Sequence, residues 1–361
     1  FWIVHGRAEV RRVLRACIVC RKQDGGPFER PVMPDLPSYR VTRNRPFSRI
    51  GLDYFGPVYV RNEEAPEKRW VCLFTCLTVR AVHLEVVVDM SAEEFLMAVQ
   101  RFIARRGKPE SIVCDNASQF KAVRATDPFS AFLSGKAIRW LFIPQLSPWS
   151  GGIYERLIKI ITTAMKRSIG NRLRSHQQHV TVATEVEHVV NSRPLTYAGD
   201  DINDWNLLTP NDFLGVTPTM VLQDRVSTEG NPSASKTREG LIALYEDINK
   251  VADGFWRIWQ SEYLPNLRER TTWYHRDPRI RVQGCPFIGE VVVVRDPSKK
   301  RGQWLLGRIQ EHVQSSDGKI RAARVRFPNG RVGVRPVALL YPLEVQRQGG
   351  SGSYPEDDNP G

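Results

Sequence analysis

The stretch Arg49-Ile-Gly-Leu-Asp-Tyr-Phe-Gly-Pro-Val-Tyr-Val60 decides how the chain is read. Its apolar residues are those of a buried strand, yet Asp53 stands inside the run. A buried carboxylate is costly unless it is paired or bound to a cation. Two more acids sit comparably. Asp115 ends the apolar run Ser111-Ile-Val-Cys-Asp115 and is followed by Asn116, and Glu155 opens an amphipathic helix behind Gly151-Gly152. The plain alternative for each is a surface or capping carboxylate. Three acids from separate elements are more simply explained as ligands for divalent metal ions, and paired metals on carboxylates move phosphoryl groups in many nucleases and polymerases. Two Mg²⁺ or Mn²⁺ ions suit such oxygen ligands. In this reading Asp53 bridges both ions from a central strand, while Asp115 and Glu155 bind one each.

Working outward, a polar turn at Asn62-Glu-Glu-Ala-Pro66 separates the first strand from two more strand-like runs, Trp70–Val79 and Ala81–Val88. Together they predict an antiparallel meander. Ser91-Ala-Glu-Glu94 is a capping box before Phe95, Leu96, Val99, Phe102 and Ile103, which recur at helical spacing. Gly107-Lys-Pro109 stops that helix. Short strands are predicted at Ser111–Cys114 and Ala137–Ile143, a long helix from about Ser150 to Ile169, and another over about Gln177–Asn191. The order predicts an α/β layered domain with a mixed sheet, whose functional groups gather at strand C-terminal ends and helix N-termini.

The flanks differ from this middle. Residues 1–22 read as a short helix, Ala8 to Arg21, closing on Cys17-Ile-Val-Cys20. Residues 23–46 and 217–237 read as linkers, rich in Pro, Gly and polar residues. Residues 238–345 begin with one or two helices rich in Trp and Leu. They continue as short strands, Glu290–Arg295, Trp304–His312, Ile320–Phe327 and Arg331–Val334, which predict a small β-barrel of about five strands. Residues 346–361 have a disordered composition.

At 361 residues the chain suggests two or three domains. No apolar run is long enough for a transmembrane helix, and no signal peptide is recognised, although Phe1 suggests a chain whose true start is not included. Six scattered cysteines argue against a disulfide scaffold and for a reducing compartment. The net charge of +13 is segregated: +7 over residues 1–50, zero over 51–230 and again over 231–278, +9 over 279–335, and −3 beyond. Basic flanks around a neutral middle suggest modules that grip a polyanion while the middle does chemistry.

Six motifs occur in one order: Arg49 to Pro57, Arg80-Ala-Val-His-Leu-Glu85, Cys114-Asp-Asn116, Gly151-Gly-Ile-Tyr-Glu-Arg156, Asn191-Ser-Arg-Pro-Leu195 and Leu208-Thr-Pro210. In this order the chain resembles retroelement integrases of the retroviral type, and most of all those of BEL/Pao LTR retrotransposons. The resemblance covers about residues 1–216, and the downstream helical and barrel-like part is also similar. It implies a ribonuclease H-like core at 47–216 with an Asp53-Asp115-Glu155 triad, an upstream zinc-binding segment, and an SH3-like β-barrel in 238–345. It also implies 3′-end processing and strand transfer of element cDNA into host DNA. Three features depart from the family pattern. The 39 residues between Asp115 and Glu155 exceed the usual spacing, with the surplus placed around Lys121–Lys136; Ala117 stands where Gly is usual; and Trp149-Ser150 replaces a His and an aromatic.

Further candidates follow. Lys159, four residues after Glu155 on the same helix face, is placed to contact a DNA phosphate, the alternative being a solvated lysine. Asn116 positions Asp115 or substrate, or simply forms a turn. Cys17 and Cys20 resemble half of a His-His-Cys-Cys zinc site; the family's two histidines lie further upstream than His5, so an incomplete Zn²⁺ site is expected. His83, His176, His179 and His188 read as structural or surface groups. Arg308, Arg321, Arg324 and Arg326 on the barrel suit a phosphate track, with Trp304 near enough to stack exposed bases. The expected partners are double-stranded DNA and further copies of the chain, acting in the nucleus. Two alternatives stay open: a decayed or co-opted copy that only binds DNA, and a nuclease or transposase of the same superfold.

Overall fold

The computed structural model describes residues 5–17, 42–114, 120, 135–143, 148–170, 172–198, 206–215, 235–272, 285–316, 318 and 320–345; of helical positions 148–156, 235–238 and 269–272 it describes the backbone alone. The chain divides into two compact units, Phe1–Val41 and Thr42–Gly361. The first contains α1 (Gly6–Ala16). This helix is shorter than the predicted Ala8–Arg21: Cys17 already has extended backbone, φ −72° and ψ 118°.

The second unit opens with a five-stranded mixed sheet in the order β3-β2-β1-β4-β5. Its strands are β1 (Arg49–Val60), β2 (Glu67–Cys76), β3 (Val82–Val87), β4 (Ser111–Cys114) and β5 (Arg139–Phe142). The first three pair antiparallel, as the meander predicts, and β4 runs parallel to both β1 and β5. One boundary moves. The apolar run to Val79 reads as strand, but β2 ends at Cys76 and the chain turns through Leu77–Arg80, where Arg80 takes φ 58° and Cys76 N–H donates to Ala81 O.

The pleat of β1 places Ile50, Leu52 and Tyr54 with Cys72 and Phe74 of β2 against α2 (Ala92–Arg106), whose Phe95, Ala98, Val99 and Phe102 are fully buried. The capping box of α2 forms by half. Ser91 Oγ accepts the Glu94 N–H, whereas the Glu94 carboxylate accepts from Val88 N–H, and Ser91 N–H goes to Asp89. Behind the sheet lie α3 (Pro148–Ile169) and α4 (His176–Asn191). The hairpin of β6 (Thr196–Ala198) and β7 (Asn206–Leu208) and the single turn α5 (Pro210–Phe213) follow.

The helical reading of 238 onward becomes a single element, α6 (Ser235–Thr272), packed on α3 and α4. A second five-stranded sheet follows, β8 (Val291–Val294), β9 (Leu305–Gln314), β10 (Ile320–Arg326), β11 (Val332–Pro336) and β12 (Leu340–Pro342), all antiparallel in the order β11-β10-β9-β8-β12. No ladder joins β11 to β12 among the described residues. Gly307 in β9 permits the tight packing of this sheet, since a Cβ there would stand 2.2 Å from Val325 Cγ1. No described helix is long and apolar enough to cross a membrane.

Three buried arginines bind α6 and the second sheet to the first. Arg193, with no exposed surface, donates to Glu344 Oε1 at 2.8 Å and to the carbonyls of Val190 and Arg80. Arg80 and Tyr263 also donate to Glu344. Arg174 holds Asp247 of α6 through two nitrogens, at 2.8 and 3.2 Å. Arg301 reaches Glu185 at 3.2 Å and Asp253 at 3.3 Å. A buried ion pair broken from one side leaves an uncompensated charge. Arg193→Met leaves Glu344 to Arg80 and Tyr263 but strips the carbonyls of Val190 and Arg80 of their donor, and should destabilise the chain by about 1–3 kcal/mol in denaturant unfolding.

A buried histidine sits at a fourth junction. His83 lies 3.1 Å from Glu85 and 3.1 Å from Glu187, with Arg101 and Arg105 on Glu85, and Arg106 on Glu187. Burial opposes the imidazolium, but the two carboxylates outweigh it, and His83 titrates above its ordinary 6.5. Burial likewise opposes the charge of Glu85 and Glu187, yet His83 and the arginines hold both below the ordinary carboxylate range. The His83 contribution is complete below pH 6.5 and lost as pH rises through its raised value; the two glutamates contribute above the ordinary carboxylate range and are lost on acidification. Denaturant midpoints measured from pH 6 to 9 should decline, and His83→Gln should flatten that decline.

Candidate functional site

Asp53 lies on the face of β1 opposite the α2 core. It is half-buried, and its Oδ1 accepts the N–H of Tyr54 at 2.7 Å. The parallel ladder to β4 runs Arg49↔Ser111, Ile50↔Ile112, Gly51↔Val113 and Leu52↔Cys114. Asp53 is thus the first residue of β1 beyond the ladder, beside the C-terminal end of β4, where sites of open α/β sheets form.

A cleft of about 480 Å³ opens at this point. Asp53, Gly56 and Trp70 lie on one wall, and Lys159, Thr162, Thr163 and Lys166 of α3 on the other. The α3 residues are spaced three and four apart, so they form one stripe of the helix. Two cations and two hydroxyls facing a carboxylate make a surface fit for an anionic ligand that also brings a cation. Position 155 lies one turn before Lys159 on the same helix. Lys159 is exposed and lines the same cleft as Asp53.

The remaining site candidates divide. Asp115, Asn116 and Cys20 lie outside the described residues, as does the side chain of Glu155. Cys17 is half-buried just past α1. Among the described residues no group of three or more His, Cys, Asp or Glu could hold a metal ion; Asp53 is the one triad residue whose side chain is described.

The basic residues of the second sheet form a second candidate surface. Arg326 pairs directly with Arg308 across β10 and β9, and Arg324 pairs with Glu311, 3.1 Å away. On the other side Arg324 and Arg326 register with Val334 and Val332, each about half exposed. Arg321 departs from the predicted track: it falls in a register break between Ile320 and Ala322, so strict alternation does not align it with Arg324. Trp304 is a clearer correction. It packs edge-on against Trp256, with centroids 4.9 Å apart, and against Trp259 and Tyr263 of α6, so its ring joins α6 to the second sheet and is not free to stack a base.

Two functional groupings were not foreseen. Asn191 sits in the Asn191-Ser-Arg-Pro motif, and its carboxamide pairs with both the N–H and the C=O of Val82, each at 2.8 Å. Glu187 accepts the Leu84 N–H. The motif itself was the available signal, whereas Glu344 carried none.

Known structures and families add the following. A cryo-EM structure of a simian T-cell lymphotropic virus intasome in complex with PP2A regulatory subunit B56 gamma is similar over 94% of this chain and 92% of that one, at 15% identity and a TM-score of 0.36. The HTLV-2 integrase catalytic core domain in complex with magnesium is similar in its dimeric form over 44% of this chain and 93% of that one, and in its trimeric form over 42% and 90%, both at 15% identity and a TM-score of 0.31. Scores this low fix neither reaction nor family. Residues 243–343, spanning most of α6 and the second sheet, match a family of unknown function (DUF5641). No curated protein matches.

Like charges directly opposed on neighbouring strands cost stability, and salt screens that cost. Arg326→Gln should stabilise the chain by a few tenths of a kcal/mol in low salt, read as a raised thermal midpoint, with the gain fading in high salt. The same variant should elute earlier from heparin.

Proposed function

We propose that this chain is an integrase-type polynucleotidyl transferase that trims and joins DNA 3′ ends. The observation that carries the reading is the parallel register that leaves Asp53 at the end of the β1–β4 ladder, in a cleft walled by the helix that bears Glu155. Asp115 follows Cys114, the partner of Leu52. Helical spacing would set Glu155 on the stripe of Lys159, Thr162 and Lys166.

Asp53, Asp115 and Glu155 would hold the divalent ions. When bound, such ions activate the attacking oxygen and stabilise the leaving one. The half-buried carboxylate of Asp53 at the cleft wall is a hard oxygen donor of the kind Mg²⁺ or Mn²⁺ takes. The chain's own contribution is positional. The Tyr54 N–H orients the Asp53 carboxylate. Lys159 and Lys166 supply charge to the phosphates of the strand, and Thr162 and Thr163 supply hydrogen bonds. Arg308, Arg324 and Arg326 would follow the backbone of the same duplex further out. Joining two element ends to one target, in the nucleus, calls for more than one copy of the chain. A zinc ion on Cys17 and Cys20, closure of the second sheet into an SH3-like barrel, and membership of the BEL/Pao group belong to the same proposal.

A strand-transfer assay on a short end duplex with Mg²⁺ or Mn²⁺ tests it. The wild-type chain should yield joined products. Asp53→Asn should reduce them to background while duplex affinity changes by less than about twofold, since few of the phosphate contacts involve that residue. Cleavage without joining would favour a nuclease, and salt-sensitive binding without chemistry would favour a decayed copy.

A further inference from the structure

The cleft contains an aromatic side chain that neither metal binding nor phosphate contact requires. We propose that Trp70 is a stacking platform for an unpaired nucleobase of the DNA strand end held beside Asp53. The assignment rests on the polynucleotidyl-transferase reading and names the part of the substrate this wall takes.

Three features of the fold place the indole there. The β1–β2 ladder jumps from Phe55↔Val71 to Val58↔Arg69, so Gly56 and Pro57 together oppose Trp70 alone. Such bulges cluster beside functional sites and re-aim side chains. Gly56 then lets the ring settle against the strand. A Cβ at that position would lie 2.8 Å from Trp70 Cδ1 and 3.1 Å from Cγ, and the backbone there has φ +155°. Trp70 packs on the core yet is only partly buried, and it lines the cleft.

The opposite wall completes the pattern. Lys159 and Lys166 face the same space with two threonine hydroxyls. Cationic side chains lining the same cleft as an aromatic ring are how single-stranded nucleic acid is gripped without sequence readout, because every base offers a π-face. Gly56 is three residues from Asp53, about 10 Å along the strand, a distance suited to a nucleotide next to the reacting phosphate. Duplex DNA keeps its bases stacked on one another, so the platform selects an end whose terminal bases are unpaired.

The test is a cycle between protein and DNA, read as binding of the full chain to a labelled end duplex with a two-nucleotide overhang, without divalent metal. Each overhang nucleotide is replaced in turn by an abasic analogue. Trp70→Leu should weaken binding of the intact end roughly 5- to 150-fold, the range for one stacked base, and Trp70→Phe should restore most of it. One abasic position should weaken the wild type by a similar factor and leave Trp70→Leu unaffected. An abasic penalty that persists in Trp70→Leu, or intact-end binding equal to wild type in that variant, overturns the assignment. If Trp70→Leu fails to fold, Gly56→Ala, which displaces the indole, takes its place with the same required loss of coupling. The two readings fail separately. Strand joining that survives Asp53→Asn defeats the catalytic reading, whereas joining that needs Asp53 alongside an uncoupled cycle defeats only Trp70.

Discussion

The candidate site depends on the parallel pairing of β1 with β4. Four residue pairs bring the ends of two strands side by side that are some sixty residues apart in the chain. A one-residue slip would turn the Asp53 side chain from the α3 side into the core of Phe95, Phe102 and Phe74, because successive side chains of a strand face opposite ways. The register is fixed by burial. Ile50, Leu52, Ile112 and Cys114 are all essentially inaccessible on one face, and a one-residue shift would remove them from it. The carboxylate of Asp53 is thus held at the cleft by apolar neighbours on the other face of the sheet.

The second sheet is not a bead on a string. Arg193, Arg174 and Arg301 each carry a buried guanidinium from one part of the unit to carboxylates in another, and the ring cluster of Trp256, Trp259, Tyr263 and Trp304 fills the space between α6 and β9. Ion pairs of this kind add little net stability over an apolar core, but they tolerate few alternative arrangements. The basic face of β9 and β10 is therefore carried at a set position relative to the Asp53 cleft.

Much of the first sheet was legible because its signals are local. An aspartate inside an apolar strand, a Ser91 cap before spaced Phe and Val, and Gly107 as a stop each act within a few residues. Failures came where tertiary partners decide. Leu77-Thr-Val79 has strand composition, yet the hairpin must turn there to bring Ala81 back to Cys76. Trp304 looks like a surface aromatic of a basic barrel until α6, forty residues upstream, covers it. Glu344 is 151 residues from Arg193, and no spacing rule connects them. Of the three acids read as ligands in the sequence, Asp53 alone has a described side chain; Asp115 and the side chain of Glu155 lie outside the described residues.

The carboxamide of Asn191 has one more consequence. With Glu187 it occupies both outward-facing backbone groups of Val82 and the N–H of Leu84 on β3, the outermost strand on that side of the sheet. A bare border strand is a template on which a second chain adds its own; here the first half of the template is taken from within. A second copy of the chain therefore finds fewer free backbone groups for strand addition along this border than an uncovered edge strand would offer.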